Sequence, residues 1–217
     1  SLGLGISYIT RSDDNPPDSV QPTTDSTDFF AGQALQFDSR NEYIYSNRIS
    51  FLFGAKWNNE TGHSESTYNG LPSNFNEHSN SAIGIYGIHQ YHGESVSTEI
   101  GLRRDQRSNY GGITSAQAKL TYPTTSDGTI QVEYGTGFKN PSLYQLYSSY
   151  GNENLQDEKS STASLAFEKI WNKNFFLSVD YFTSEYFDLI DFDSVTSKYY
   201  NLARASSNGA ELEIKWQ

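Results

Sequence analysis

Connections between the strand-like segments of this chain alternate between long and short along the sequence. The long connections are predicted near Arg11–Asp28, Gly62–Asn80 and Lys139–Lys159, and the short ones near His92–Gly93, Pro123–Gly128 and Asn172–Asn174. An antiparallel meander places every second connection at the same end of its sheet. We therefore expect one end with elaborate loops and another with tight turns, an asymmetry that is typical of bacterial outer-membrane barrels.

The segments between these connections alternate apolar and polar residues with the period of two that indicates strands. In one of them, Ile130, Val132 and Tyr134 share a face, and Gln131 and Glu133 share the other. Strands are predicted near residues 1–10, 29–39, 47–61, 81–91, 94–108, 114–122, 129–138, 160–171, 175–190 and 200–216. The predicted fold is all-β, an antiparallel meander of about ten strands that forms part of a larger transmembrane β-barrel.

The second face of nearly every strand is polar, small or charged. In a wide barrel this face lines an aqueous or plugged lumen, and the apolar face meets lipid. A soluble β-sandwich would turn the same polar face to bulk water, so periodicity alone leaves both folds open. Strand length favours the barrel, because the run Phe175–Ile190 far exceeds the ~5–6 residues usual in soluble proteins.

Aromatic residues at the strand ends also favour a bilayer, where amphipathic rings settle at the headgroups. Two belts are predicted. Tyr122, Trp171 and Trp216 lie at short-turn ends, and Tyr8, Tyr110 and Phe138 lie near long-loop ends.

Composition narrows the function classes. The net charge of -11 argues against a nucleic-acid partner, which needs a concentrated basic surface. Cysteine is absent, which excludes disulfides and thiolate metal sites. The sequence contains no run of ~18 apolar residues, so it predicts no membrane-spanning helix. The chain lacks an initiator methionine and a signal-peptide pattern, so it is expected to be a piece of a longer precursor.

One stretch of the sequence indicates a particular protein family more specifically than the strand pattern does. Residues 134–147 read YGTGFKNPSLYQLY, and residues 152–160 read NENLQDEKS. This stretch resembles the barrel of TonB-dependent outer-membrane transporters. In that family a strand ending in Gly-x-Gly/Ala-Phe-Lys-x-Pro precedes Leu-Tyr-x-Leu-Tyr and then a Gly-Asn-x-x-Leu-x-x-Glu-Lys-Ser loop. The pattern looks most like the cobalamin-receptor branch. Residues 101–105 and 209–213 fit family strand patterns, with Arg104 replacing a usual aromatic.

The resemblance implies a receptor in the bacterial outer membrane that takes up a scarce nutrient complex, such as a corrinoid or a siderophore. The energising TonB-type complex would act through a plug domain. Residues 1–217 are then a partial barrel domain, without the plug and without the C-terminal strands of a 22-stranded barrel. Outer-membrane lipid and a small-molecule nutrient are the other expected partners.

Ligand-binding residues are predicted in the last long loop. Tyr144, Tyr147 and Tyr150 combine large contact area with a polar handle, and Asn152 follows them. No catalytic residue is predicted, because no nucleophile elbow marks a serine. His89 and His92 are three residues apart, so they point to opposite faces of a strand and cannot share a metal.

An acidic loop is the remaining candidate. Asp13, Asp14 and Asp18, with Asp25 and Asp28 nearby, could hold calcium through carboxylate oxygens, or could form a solvated loop. Two alternative functions stay open: a passive porin or adhesin on a similar barrel, and a soluble glycan-binding β-sandwich. A porin has no need of the motifs in residues 137–147 and 152–160, and a sandwich would stay monodisperse without detergent.

Overall fold

The computed structural model describes residues 2–15, 25–124, 127–171 and 174–216. The elements are β1 (Leu2–Asn15), β2 (Ser26–Ser46), β3 (Ile49–Tyr68), β4 (Leu71–Pro72), β5 (Phe75–His92), β6 (Ser97–Arg107), β7 (Gly111–Pro123), β8 (Gly128–Lys139), α1 (Leu143–Tyr147), β9 (Glu158–Trp171), β10 (Phe175–Asp193) and β11 (Lys198–Trp216). The all-β prediction is confirmed. Across these four ranges, no helix is long and apolar enough to cross a membrane.

The strands form one antiparallel sheet in the order β1-β2-β3-β5-β6-β7-β8-β9-β10-β11, and the short β4 pairs with β3. Every long strand therefore pairs with its neighbour in sequence, as the meander prediction required. Within the described ranges, β1 and β11 each pair with a single strand, so the sheet is an open part of a barrel. The ten long strands match the ten predicted from periodicity.

One face of the sheet carries a continuous band of apolar side chains, because the cross-strand register aligns them. Val179 pairs with Phe167 on one side and with Leu212 on the other. Leu102 and Leu212 expose 60% and 65% of their surface. Among the described residues no second layer of structure covers this apolar band. The sandwich alternative would have buried it, so that alternative is not supported.

The opposite face, here called the inner face, is polar. Arg103 donates to both carboxylate oxygens of Asp105, at 2.7 and 2.6 Å. Glu99 accepts from Gln90 at 2.8 Å and from Gln117 at 2.8 Å. The two bonds to Glu99 join β5, β6 and β7 across the ladder, and the Arg103–Asp105 pair lies within β6, so the inner face is a hydrogen-bonded polar surface.

Gly84 of β5 makes room for the Arg103–Asp105 pair. A Cβ at Gly84 would lie 2.8 Å from Arg103 Cζ, closer than real Cβ contacts come. Replacing Gly84 with valine is expected to displace the pair and to lower the free energy of unfolding by about 1–3 kcal/mol. The measurement is the urea midpoint in lipid vesicles. Gly87→Val is the control, since nothing lies within 4 Å of its Cβ position, and equal losses at both glycines would refute the explanation.

The predicted long loop over Gly62–Asn80 is wrong. β3 continues to Tyr68 and β5 begins at Phe75, so this connection is an extended hairpin that projects from the sheet. Asn69 and Gly70 have φ of 49° and 76°, the left-handed values that a two-residue hairpin turn requires. The Asn-Gly pair was the overlooked signal in the sequence.

Other connections agree more closely. β7 ends at Pro123 and β8 begins at Gly128, and Asp127 has the positive φ of 55° that its turn needs. The His92–Gly93 prediction was too short. The N–H of Gly93 donates to the carbonyl of Val96 at 2.9 Å, and β6 begins only at Ser97.

The aromatic belts are confirmed in part. Tyr122, Trp171 and Trp216 are exposed at the short-turn end, and Tyr8 is exposed at the other. Tyr110 and Phe138 are not belt residues.

The rings of Tyr110 and Phe138 are half-buried, and each centroid lies 5.4 Å from the Arg107 guanidinium carbon. At Phe138 the physical reason is local. The Thr136 hydroxyl accepts from the Ala116 N–H at 2.9 Å just beyond the last β7–β8 pair, Gln117 with Gly135, so the strand at Phe138 is no longer paired with β7.

Candidate functional site

The buried apolar side chains of the described residues are gathered at the long-loop end of the sheet. They are Ala31, Phe75, Leu143, Leu146 and Leu155, each no more than 8% exposed. Three of them belong to the connection between β8 and β9, residues 140–157, here called the arch. Within the described ranges, the buried apolar side chains therefore serve mainly to hold this loop, because the strands themselves expose their apolar face.

A capping box starts α1 inside the arch. The N–H of Gln145 donates to Ser142 Oγ at 3.1 Å, and the N–H of Ser142 donates to Gln145 Oε1 at 2.9 Å. This reciprocal pair satisfies donors at the helix start. The helix then turns Leu143 and Leu146 into the buried cluster, a spacing of three that places both on one helical face.

The arch folds over the inner face toward β2, β3 and β5. A Cβ at Gly62 would lie 3.3 Å from Leu143 Cδ1, so the glycine lets the helix approach β3 closely. The ring of Tyr147 stacks on His78 of β5, with centroids 3.6 Å apart and an interplanar angle of 5°. The ring centroid of Phe75 lies 6.3 Å from the ring centroids of both Phe30 and Tyr144.

On its other side the arch is tied to β11. Asn152 Nδ2 donates to the carbonyl of Tyr199 at 3.0 Å, and the N–H of Tyr199 donates to the carbonyl of Tyr150 at 3.0 Å. The Asn201 amide exchanges two hydrogen bonds with the backbone of Gln156, at 2.8 and 3.0 Å. The arch thus bridges strands on both sides of β8 and β9.

A buried arginine joins the two ends of the arch. Arg107 of β6, whose side chain is 2% exposed, lies 2.5 Å from Asp157 and donates to Asn140 Oδ1 at 2.7 Å. Its other donors reach the carbonyls of Tyr110 and Gly111, both at 3.2 Å. The sequence analysis missed Arg107. Its signal was an arginine at a strand end, on the inner-face alternation that also holds Arg103.

A cavity of about 530 Å³ lies between the arch and the long-loop ends of β2 and β3. Asp28 and Phe30 line it from β2, Ser66 from β3, and Tyr144 and Tyr150 from the arch. Two further cavities, of about 460 and 320 Å³, lie deeper along the inner face and are lined by charged residues of β2, β3 and β6.

The pKa values of two tyrosine side chains near the arch are raised. Burial raises the pKa of Tyr144, and the neighbouring Tyr199 and Tyr150 add to the effect. Burial raises the pKa of Tyr110 to about 12, with contributions from Tyr147 and Asp157. Because each shift favours the neutral phenol, both hydroxyls can donate hydrogen bonds at neutral pH.

Of the four predicted ligand residues, two line the cavity and two make contacts that hold the arch. Tyr144 and Tyr150 line the cavity and are 38% and 45% exposed. Tyr147 is engaged in its stack on His78, and Asn152 in its bond to Tyr199, so these two residues position the arch. Ligand binding by these four residues stays a prediction.

The calcium residues are placed only in part. Asp13 and Asp14 fall within β1, where Asp13 pairs with Asp28 of β2, so they belong to a ladder rather than to the predicted loop. Asp18 lies outside the described residues. No group of three histidine, aspartate or glutamate side chains in the described part of the chain is close enough to hold a metal. Calcium binding stays a prediction.

The chain resembles known proteins along its whole length. The family profile of "TonB dependent receptor-like, beta-barrel" matches residues 1–217. The vitamin B12 transporter BtuB of Vibrio cholerae serotype O1 is 27% identical over 178 residues, which cover 81% of this chain and 28% of the transporter. The chain therefore corresponds to less than a third of that relative's length.

Solved structures share the fold. The copper transporter OprC superposes with a TM-score of 0.81 at 13% identity, over 100% of this chain and 40% of that one. The siderophore receptor PirA of Pseudomonas aeruginosa gives 0.70 at 18% identity, over 98% and 44%. The chain belongs to the TonB-dependent receptor β-barrel family, whose members reside in the outer membrane of Gram-negative bacteria.

Proposed function

We propose that this chain forms part of a receptor that captures a scarce nutrient complex, such as a corrinoid or a siderophore, at its extracellular long-loop end for energised uptake. The observation that carries the proposal is the arch, which folds inward over the sheet and leaves a cavity lined by Tyr144 and Tyr150. Rigid aromatic side chains with polar tips suit recognition of a bulky small molecule. The proposed role makes and breaks no covalent bond.

The relatives support this class of ligand without fixing one. The names of the relatives mention vitamin B12, siderophores and copper. Family membership implies a TonB-type energising complex as the partner. We propose that this complex acts on the receptor through its plug domain.

The apolar band is proposed to contact the hydrocarbon of the bilayer. Its side chains, among them Ile85, Ile100 and Leu165, expose more than half of their surface, and burying them in lipid removes that area from water. The longest strands, with 21 residues in β2 and 20 in β3, exceed the ~9–11 residues that cross a bilayer. Their excess length would project on the extracellular side with the arch.

Uptake in cells tests the proposal. The whole receptor, as its gene encodes it, is expressed in a Gram-negative strain that lacks its own cobalamin and siderophore receptors. Uptake of labelled cyanocobalamin or of a ferric siderophore is expected, and deleting the TonB-type complex should abolish it. Uptake that continues without that complex would instead indicate the passive porin, and absence of any uptake would count against the receptor.

A further inference from the structure

The cavity between the arch and the long-loop ends of β2 and β3 is lined mainly by hydroxyl groups and aromatic rings. Serine and threonine contribute seven of its thirteen lining residues, aromatic rings contribute five, and Asp28 is the remaining one. Hydroxyl groups both donate and accept, and a carboxylate accepts strongly. Such a surface suits a partner that is itself rich in hydroxyl groups.

Charge excludes one major ligand class from the cavity. The described residues that line it include no lysine, arginine or histidine. The ammonium of Lys198 contacts the arch, but it donates to the carbonyls of Ser149 and Gly151, at 3.0 and 3.1 Å. A polyanionic ligand would therefore meet the Asp28 carboxylate without a cation in the described lining, and like charges repel.

One lining hydroxyl is only weakly engaged. Ser148 Oγ is buried, and its side-chain interaction with the Tyr144 phenol lacks ordinary hydrogen-bond geometry. Most buried polar atoms have a partner. Because Ser148 lines the cavity, a hydroxyl-bearing ligand would supply that partner.

The aromatic rings of the cavity are firmly placed. Tyr150 packs edge-on against Phe192 at 5.8 Å, and Tyr144 packs edge-on against Tyr199 at 6.3 Å. Each ring keeps part of its surface exposed. Fixed tyrosine rings bind at low entropic cost and offer a flat apolar surface beside a polar tip.

We propose that this cavity binds a neutral saccharide ring, whose apolar face packs on Tyr144 or Tyr150 and whose hydroxyls donate to Asp28. The inference rests on the proposed function, capture of a nutrient at the extracellular end, and it names the chemistry of the captured group. The Ser66 hydroxyl, which donates to the carbonyl of Ser73 at 2.6 Å, can accept from the sugar, and Ser148 supplies a hydroxyl from the opposite side of the cavity. The site discriminates against anionic ligands by charge and against flat hydrocarbons by its hydroxyl-rich lining.

A printed array of neutral and acidic oligosaccharides, probed with the whole fluorescent receptor in detergent, tests the proposal. Retention on neutral glycans is expected. Asp28→Asn should weaken the affinity for the best neutral glycan about tenfold, because it replaces a charged acceptor. The control is Asp25→Asn. Asp25 lies three residues before Asp28 and does not line the cavity, so this substitution removes the same charge and should leave the affinity unchanged.

The outcomes separate this inference from the proposed function. A receptor that imports cyanocobalamin or a ferric siderophore but is retained by no neutral glycan would overturn the saccharide site and keep the receptor. Preference for acidic glycans, or equal losses in Asp28→Asn and Asp25→Asn, would overturn it as well. Retention on neutral glycans that is weakened by Asp28→Asn alone supports it, whatever the uptake experiment shows.

Discussion

Replacing Arg107 with alanine is expected to lower the free energy of unfolding by about 3–5 kcal/mol, the largest loss among single substitutions considered in this chain. The substitution leaves Asp157, whose side chain is 9% exposed, without its counter-charge. It also removes the donor that joins Asn140 to Asp157 at the two ends of the arch. Urea unfolding in lipid vesicles, followed by tryptophan fluorescence, measures the change.

The control for Arg107 is an exposed pair of the same kind. Arg48 and Glu94 lie 2.5 Å apart at the short-turn end, but their side chains are 56% and 85% exposed. Because solvent screens such pairs, Arg48→Ala should cost little. The combined replacement of Arg107 by methionine and Asp157 by leucine should recover much of the loss, since it leaves no buried charge. Equal costs for Arg107→Ala and Arg48→Ala would contradict this description of the arch.

The second large effect is expected on the apolar band. Val179→Arg should destabilise the barrel by about 2–4 kcal/mol, the cost of a charged side chain near the bilayer midplane. Val179 is flanked across the ladder by Phe167 and Leu212, so an arginine there has no polar neighbour in its row. Unfolding free energies in vesicles, compared with the unsubstituted receptor, provide the measurement.

Ser178→Arg is the matched control, because the same side chain is introduced one residue away on the opposite face. Ser178 pairs with Glu168 and Glu213, and these carboxylates can accept the guanidinium. The cost should be small there, as it should be for Asp180→Asn on the same face. Similar losses at residues 178 and 179 would show that the two faces were assigned wrongly.

The sequence predicted the strands well because lipid and lumen impose opposite chemistry on alternate residues. Val132 and Glu133, or Leu212 and Glu213, reveal their faces through side-chain type alone. Strand ends were harder to predict. Beyond the bilayer the alternation loses its physical cause, so β3 continues through polar residues to Tyr68 where a loop was expected.

The candidate site was predictable only in its location. The tyrosines of residues 144–150 marked the arch, because clustered loop aromatics are costly without a role. The sequence did not distinguish Tyr144, which lines the cavity, from Tyr147, which stacks on His78. That division depends on contacts between elements far apart in the chain, and no local pattern encodes them. Arg107 was missed for the same reason, since its partner Asp157 lies fifty residues away.

The claim that hydrocarbon covers the apolar band can be measured directly with spin labels. The chain has no cysteine, so a single introduced cysteine gives one label within it. Labels at Val179→Cys and Asp180→Cys are compared in the whole receptor in lipid vesicles, using oxygen, which partitions into lipid, and a water-soluble nickel chelate as relaxing agents. The label at residue 179 is predicted to be accessible to oxygen and shielded from nickel, and the label at residue 180 is predicted to show less oxygen access. Nickel access at residue 179 equal to that at residue 180, or shielding of residue 179 from both agents, would contradict the account.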